Sequence, residues 1–484
     1  TGDGNLAALQ VAGQPPFEPI ALTLRAQAPN AGTIVLEALT VDDGNARLVL
    51  HGEAALDTLA GAWNLQTRVA AVEQLAGRVG ADASGSFELN AQVDVGAQAA
   101  RVRATLDGAY TRIGGQPAAL GPELALQGDV SFADEVLTVD ALRVVSDRLN
   151  LDAQVRYALG GDVAGEARLR VAELDAFSEL AGTTLGGSAT LDATLGGTAD
   201  ALEVAATLAG SELAYATYAL DSIDASVQAA GLPGSPQGSL TLTAMGQGET
   251  LQAEGRFTYR APALDIERFA LNNGPNTIDA RVALNTETRA TRASIEAALP
   301  DLARLGRVAQ LALAGSAELN ADVSGTPEDL DLRARGGARE VAAFGVSLAE
   351  LALNADINGP PAAPRGTVTL TVSALDADTL KLDTVSLDAD LRGDAADFAL
   401  AAAGRAQDYD VRLDVDGAAR RDGADVAIAV DTLDGAVDDV TLALAQPLRA
   451  AWRGGGLMLE PVALRIAEGT LRAEGVYGPE RADL

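Results

Sequence analysis

Apolar and polar residues alternate strictly over residues 188–195: Ala189, Leu191, Ala193 and Leu195 are apolar, and Ser188, Thr190, Asp192 and Thr194 between them are polar or acidic. Successive side chains of a strand point to opposite faces, so the pattern predicts a strand with one dry and one wet face. Gly196-Gly197-Thr198, which follows, breaks the pleat and predicts a turn. The phrase returns as Gly315-Ser316-Ala317-Glu318-Leu319-Asn320-Ala321-Asp322-Val323, 315 − 187 = 128 residues on, and a looser copy, Gly85-Ser86-Phe87-Glu88-Leu89-Asn90-Ala91-Gln92-Val93, lies 187 − 85 = 102 residues earlier. The chain is therefore a repeat array.

A second phrase recurs between these copies. Leu36-Glu37-Ala38-Leu39-Thr40-Val41 is matched by Val139-Asp140-Ala141-Leu142-Arg143-Val144, Ile266-Glu267-Arg268-Phe269-Ala270-Leu271 and Leu459-Glu460-Pro461-Val462-Ala463-Leu464. Each is followed by a turn of Asp, Asn, Gly or Ser type and another alternating strand, such as residues 149–155. Strands are also expected over residues 20–25, 33–36, 47–51, 241–245, 251–259 and 278–284, with loops at 231–236 and 358–364. Just ahead of each Gly-Ser strand the apolar spacing changes from two to three or four: Val72, Leu75, Ala76 and Val79; Leu174, Phe177, Leu180 and Ala181; Leu302, Leu305 and Val308. Three short amphipathic helices follow, each expected to cover one end of its repeat's apolar face, and Pro300-Asp301 starts the third. The repeat copies lie near 72–170, 173–298 and 300–484, within one continuous array over residues 1–484.

Composition changes the picture in three ways. Of the 484 residues 48% are apolar but only 4% aromatic, and the inward positions are filled with Ala, Leu and Val. Such a wall is smooth and fills a sandwich poorly, which favours a curled sheet with room beside it. The net charge of −33, from 68 acidic against 35 basic residues with Lys381 the sole lysine, repels phosphate backbones and excludes a nucleic-acid partner. The absence of cysteine removes disulfides, thiolate metal sites and Cys nucleophiles. No stretch of about 18 apolar residues is present to span a bilayer. Beginning at Thr1 and ending at Leu484, the sequence reads as a piece of a longer chain whose membrane anchors lie outside it.

Catalytic chemistry is sought and not found. The sole histidine, His51, sits in an alternating strand, no Gly-x-Ser-x-Gly elbow occurs, and acidic pairs such as Asp42-Asp43 and Asp438-Asp439 fall at turns. Gly454-Gly455-Gly456 has no Lys-Ser/Thr after it and is not a phosphate loop. No enzyme activity, cofactor or metal is expected.

The short helix, the Gly-Ser-Ala-x-Leu-x-Ala strand, the Gly-Thr-x-x-x-Leu turn and the closing phrase from Gln446-Pro447-Leu448-Arg449 through residues 456–464 to Gly469-Thr470-Leu471-Arg472-Ala473-Glu474-Gly475 resemble the TamB translocation and assembly module of the AsmA-like group. The resemblance implies a central periplasmic portion of a protein anchored in the inner membrane. It implies a taco-shaped groove carrying phospholipid between the membranes, and an outer-membrane β-barrel partner of the TamA type; it carries no catalytic residues.

The expectation is thus a mainly β, elongated array of antiparallel strands curled into a groove with a hydrophobic interior. The lining residues expected on its dry face are Phe87, Leu89, Ala91, Val93, Leu149, Leu151, Ala189, Leu191, Ala193, Leu195, Ala317, Leu319, Ala321, Val323, Val368, Leu370, Val385 and Leu387, with Asp192, Glu318 and Asp322 facing water. The function expected is a periplasmic conduit for phospholipid acyl chains. The alternatives are a scaffold for assembling outer-membrane proteins and an extracellular β-solenoid adhesin or passenger.

Overall fold

In the computed structural model, residues 2–6, 20–58, 60–76, 83–113, 116–117, 120–423, 425–453, 456–478 and 481–483 are described. Thr1, Val79, Gly454, Gly455 and Leu484 lie outside them. The described residues form 33 strands and three short helical segments, and no helix among them is long and apolar enough to cross a membrane. The chain divides into two units, Thr1–Ala244 and Met245–Leu484, the division falling within the 173–298 copy.

Within each unit the strands form antiparallel ladders between sequence neighbours, as short polar turns dictate. In the first unit the strand Ala83–Val95 pairs with Gly61–Val69 and Ala99–Ile113, and Leu185–Thr198 with Val163–Val171 and Ala201–Tyr215. In the second, strands follow one another in order from Glu249–Arg260 to Asp425–Val437. There the order splits locally: Asp425–Val437 and Gly456–Ile466 are bridged by two short strands, Val440–Leu444 and Leu448–Arg453.

The second repeated phrase is a β-bulge. In all four copies the ladder slips between the first apolar residue and the one three places on: Leu36/Leu39, Val139/Leu142, Ile266/Phe269 and Leu459/Val462. A slip of one residue would send the following side chains to the other face; the bulge absorbs it. That is why apolar residues at 137, 139, 142 and 144, or at 264, 266, 269 and 271, stay on one side despite the gap of three in their middle.

The glycine opening the Gly-Ser phrase has the same kind of role. Gly187 and Gly315, at φ +90° and +96°, sit opposite Glu212 and Glu340, each held at φ 51°. A Cβ on Gly187 would come within 2.3 Å of the Ser211 carbonyl oxygen, and one on Gly315 within 2.4 Å of that of Glu340. Only glycine fits such a bulge.

The helices form where sequence periodicity places them: Val72–Ala76, Leu174–Phe177 as a 3₁₀ turn continued by Ser178–Ala181, and Leu302–Ala309. The last carries Asp301 as N-cap, its carboxylate accepting from the Arg304 N–H. A clamp repeats at two of them. The Asn45 amide donates to the carbonyl of Ala71 (2.9 Å) and accepts from its N–H (2.7 Å), just before the first helix. Asn276 does the same to Asp301 (2.6 and 2.9 Å) before the third.

Candidate functional site

The candidate site is the apolar face of the two ladders. Residues directly opposite in an antiparallel pair share a face, so the register can be followed from strand to strand. In the first unit it joins Leu89, Leu106, Leu126, Val144, Leu151, Leu169, Leu191 and Leu208 into one row across eight strands without a polar interruption. Beside it runs a row of smaller residues, Ala91, Ala104, Gly128, Leu142, Ala153, Ala167, Ala193 and Ala206, and beyond that one beginning Val93, Val102, Val130 and Val139. The second unit repeats the arrangement: Leu319, Gly336, Leu353, Leu370, Leu387, Leu400, Val415 and Leu433 form one row, with Ala321, Ala334, Ala355, Val368 and Ala389 next to it.

Every residue expected on the dry face falls on these rows or on the neighbouring one. Phe87 stands opposite Val69, Leu149 and Ala189 both opposite Val171, and Leu195 opposite Val204. Ala317 lies beside the Leu319 row and Val323 beside the Ala321 row, and Val385 stands opposite Val372. Asp192, Glu318 and Asp322 occupy the alternate positions and face the other way.

Within each unit, the described residues place no second layer over the apolar face. Only eleven apolar side chains among the described residues are buried, and six are alanines. Leu191, Leu208 and Ile295 remain 37%, 36% and 41% exposed. Several of the few buried residues, including Val69, Ala76, Val171 and Val308, lie on or next to the helices, which cover one margin of the face and leave the rest open.

The opposite face is a lattice of ion pairs. Arg143 binds Asp152 at 2.6 Å, Arg168 binds Asp192, and Arg101 forms a two-point pair with Asp129 at 2.6 and 2.8 Å. Hydrogen bonding from Arg101 holds the Asp129 carboxyl below the usual range, and that to Asp192 raises Arg168. A hollow of about 500 Å³ on this side is lined by Arg143, Asp152, Gln154, Glu166, Arg168 and Asp192. These pairs are mostly exposed, so each contributes little to stability. Their arrangement places arginines between strands that would otherwise repel, which is how a chain of charge −33 tolerates so many adjacent carboxylates.

One polar cluster escaped sequence reasoning. Glu249, its side chain 9% exposed, accepts from Arg304 Nε (2.7 Å) and Arg307 Nε (3.0 Å), tying the helix Leu302–Ala309 to the strand Glu249–Arg260. The Arg307 and Arg304 hydrogen bonds hold its carboxyl below the usual range. Beside it, the wholly buried Asn273 donates to the Thr250 carbonyl (2.8 Å), and Asn276 to Asn273 (3.2 Å). The available signal was Arg304 and Arg307 at i and i+3, one helical face that needs a counter-charge. His51 stands in mid-strand opposite Asn64, and no His, Asp and Glu group among the described residues could hold a metal ion.

Compared with known protein families, residues 239–453 match the family described as TamB, N-terminal domain. No curated protein matches the chain.

Proposed function

Taking as premise that residues 239–453 are of the TamB type, and with it a part in TamB-type translocation and assembly in the periplasmic envelope, we propose that the apolar face carries phospholipid acyl chains. The observation behind this reading is the register of each unit, which carries no polar side chain along its row and is half-exposed, with no covering layer among the described residues of the unit. An acyl chain is linear and has no polar group along its length. A row of Leu and Val side chains about 4.8 Å apart offers it continuous contact from one strand to the next. Ala and Gly in the adjoining row keep the floor low, and the acidic outer face keeps the protein dispersed in water. On this reading the sheet curls so that its dry face lies inside a groove. The role is non-enzymatic, and the outer-membrane partner is a β-barrel of the TamA type.

The test is site-specific photo-crosslinking. A crosslinker at Leu191 or Leu319 captures phospholipid, whereas one at Asp192 or Glu318 does not. Equal capture from both sets means that the alternation does not mark a lipid-binding face.

A further inference from the structure

The tyrosines have a fixed place in this fold. All seven stand within three residues of a strand end, and Tyr157, Tyr215, Tyr218, Tyr259, Tyr409 and Tyr477 are each the first, last or penultimate residue of a strand. Register puts five of them on the dry face. Tyr157 is in phase with Leu151 and Val155, Tyr259 stands opposite Leu264, and Tyr409 is in phase with Val411, Leu413 and Val415. Tyr215 and Tyr218 stand opposite each other, two residues beyond the pair Leu213 and Leu220, and Leu213 lies against the dry position of Gly210, its Cδ1 2.9 Å from where a Cβ there would be. Phenylalanine, the same ring without the hydroxyl, is not so confined: Phe87, Phe269 and Phe398 stand further in on the same face. It is therefore the hydroxyl that is kept at the margins, as in the girdles of aromatic residues where the apolar band of a β-barrel meets water.

In each unit the margin bearing the helices is where these hydroxyls are open. There Tyr215, Tyr218 and Tyr409 are 62%, 54% and 53% exposed, whereas Tyr157 and Tyr259 at the other margin are half-buried. Among the described residues none hydrogen-bonds the hydroxyls of Tyr215, Tyr218 and Tyr409. A phospholipid whose acyl chains lie on the dry face carries its head past a margin. A phenol at that point has a ring for the first methylenes and a donor for ester or phosphate oxygens. The cations flanking the turns beside Tyr409 are already paired, Lys381 with Asp376 (2.9 Å) and Arg405 with Asp410 (3.3 Å), which leaves the phenol to donate. Asp408, next to Tyr409, disfavours a net-anionic head and suits one that also carries an ammonium group, which the ring face attracts as well. Resting on the acyl-chain reading, we propose that Tyr215, Tyr218 and Tyr409 are head-group contacts, their hydroxyls donating to the oxygens of an amine-bearing zwitterionic phospholipid whose head leaves the dry face at the helix-bearing margin.

The experiment has two arms. In the full-length protein in its native envelope, a photo-crosslinking amino acid is placed singly at Tyr215, Tyr409, Leu191 or Leu319, and tandem mass spectrometry locates each adduct on the lipid. The expected result is attachment to the glycerol or head from Tyr215 and Tyr409, and to the acyl chain from Leu191 and Leu319. In the second arm the purified full-length protein is mixed with vesicles of equal parts phosphatidylethanolamine and phosphatidylglycerol, or with squalene, which has no head, and the retained lipid is counted. The unmodified protein retains phosphatidylethanolamine in excess. Tyr215→Phe, Tyr218→Phe and Tyr409→Phe together lower its retention about fivefold, the loss of one hydrogen bond per head, and leave squalene retention and the urea midpoint unchanged. If Leu191 and Leu319 capture no lipid, the acyl-chain reading fails and this proposal with it. Lipid captured at the leucines but joined only through its acyl chain, or not at all, at the tyrosines overturns the proposal and leaves that reading standing. So does a phenylalanine variant that retains phospholipid undiminished, whose hydroxyls then served only to meet water, or that loses squalene equally; equal retention of the two phospholipids by the unmodified protein overturns the choice of a zwitterionic head.

Discussion

Leu319→Arg distinguishes an open apolar face from a closed core. Leu319 is half-buried on the dry face, opposite Ala297 on one side and Gly336 on the other, and its Cδ1 lies 3.5 Å from where a Cβ on Gly336 would be. Full burial of a leucine side chain contributes about 1.5–3 kcal/mol, so a half-buried one loses about 1 kcal/mol when replaced. The arginine stem restores part of that contact, and its guanidinium can reach water over the open face. The expected destabilisation is therefore about 1 kcal/mol, read as a lowered urea midpoint at unchanged slope. Under a covering second sheet the same substitution would bury an unpaired charge and cost about 4 kcal/mol or more. Phospholipid carried by the purified protein, counted by mass spectrometry, should fall sharply, because the guanidinium holds water in the middle of the aliphatic row. Glu318→Arg, one residue along on the wet face, should leave stability within about 0.5 kcal/mol and lipid content unchanged. A loss of about 4 kcal/mol for Leu319→Arg, or a folded variant with undiminished lipid, would refute the reasoning.

Gly315→Ala should destabilise by about 2 kcal/mol or more in urea unfolding, because the new Cβ meets backbone carbonyls at positive φ, whereas Gly160→Ala, with nothing within 4 Å, should be close to silent. Asn276→Ala leaves the N–H and carbonyl of Asp301 without their partner and should cost about 2 kcal/mol, with faster amide exchange throughout the helix Leu302–Ala309. The folded-state pKa of Glu249 lies below its unfolded value, so its contribution is fully present above about pH 4.3 and disappears as the pH falls through the folded value. Exchange protection of the same helix should therefore fall in acid, and Glu249→Gln should remove that dependence while weakening the helix already at neutral pH.

The dry and wet faces were legible because strict alternation has only one structural solution, and the register carries Leu191 and Leu319 where that solution requires. The three helices were legible from the change of period, although Leu174–Ala181 starts as a 3₁₀ turn with no side-chain cap. The bulges could also have been read. The spacing of apolar residues at 137, 139, 142 and 144 breaks the period of two once, and only an inserted residue reconciles it with a single dry face. The Asn45 and Asn276 clamps and the Glu249 pairings could not, since they join residues 25 to 58 positions apart and depend on how a helix settles against strands distant in sequence.

The bulged phrase also limits how such a chain can change length. In the first unit its two copies begin 139 − 36 = 103 residues apart and are separated by six steps along the ladder; in the second unit they begin 459 − 266 = 193 residues apart and are separated by twelve, counting the two short bridging strands as one. Both numbers are even. Each strand interacts chiefly with the two beside it, so segments can be gained or lost without rebuilding a shared interior. A single added strand, however, would reverse the direction of everything after it and put each later bulge and helix on the wrong margin. The smallest heritable increment is therefore a whole hairpin, and related chains should differ in length by strand pairs, with insertions that begin and end at turns on the same margin.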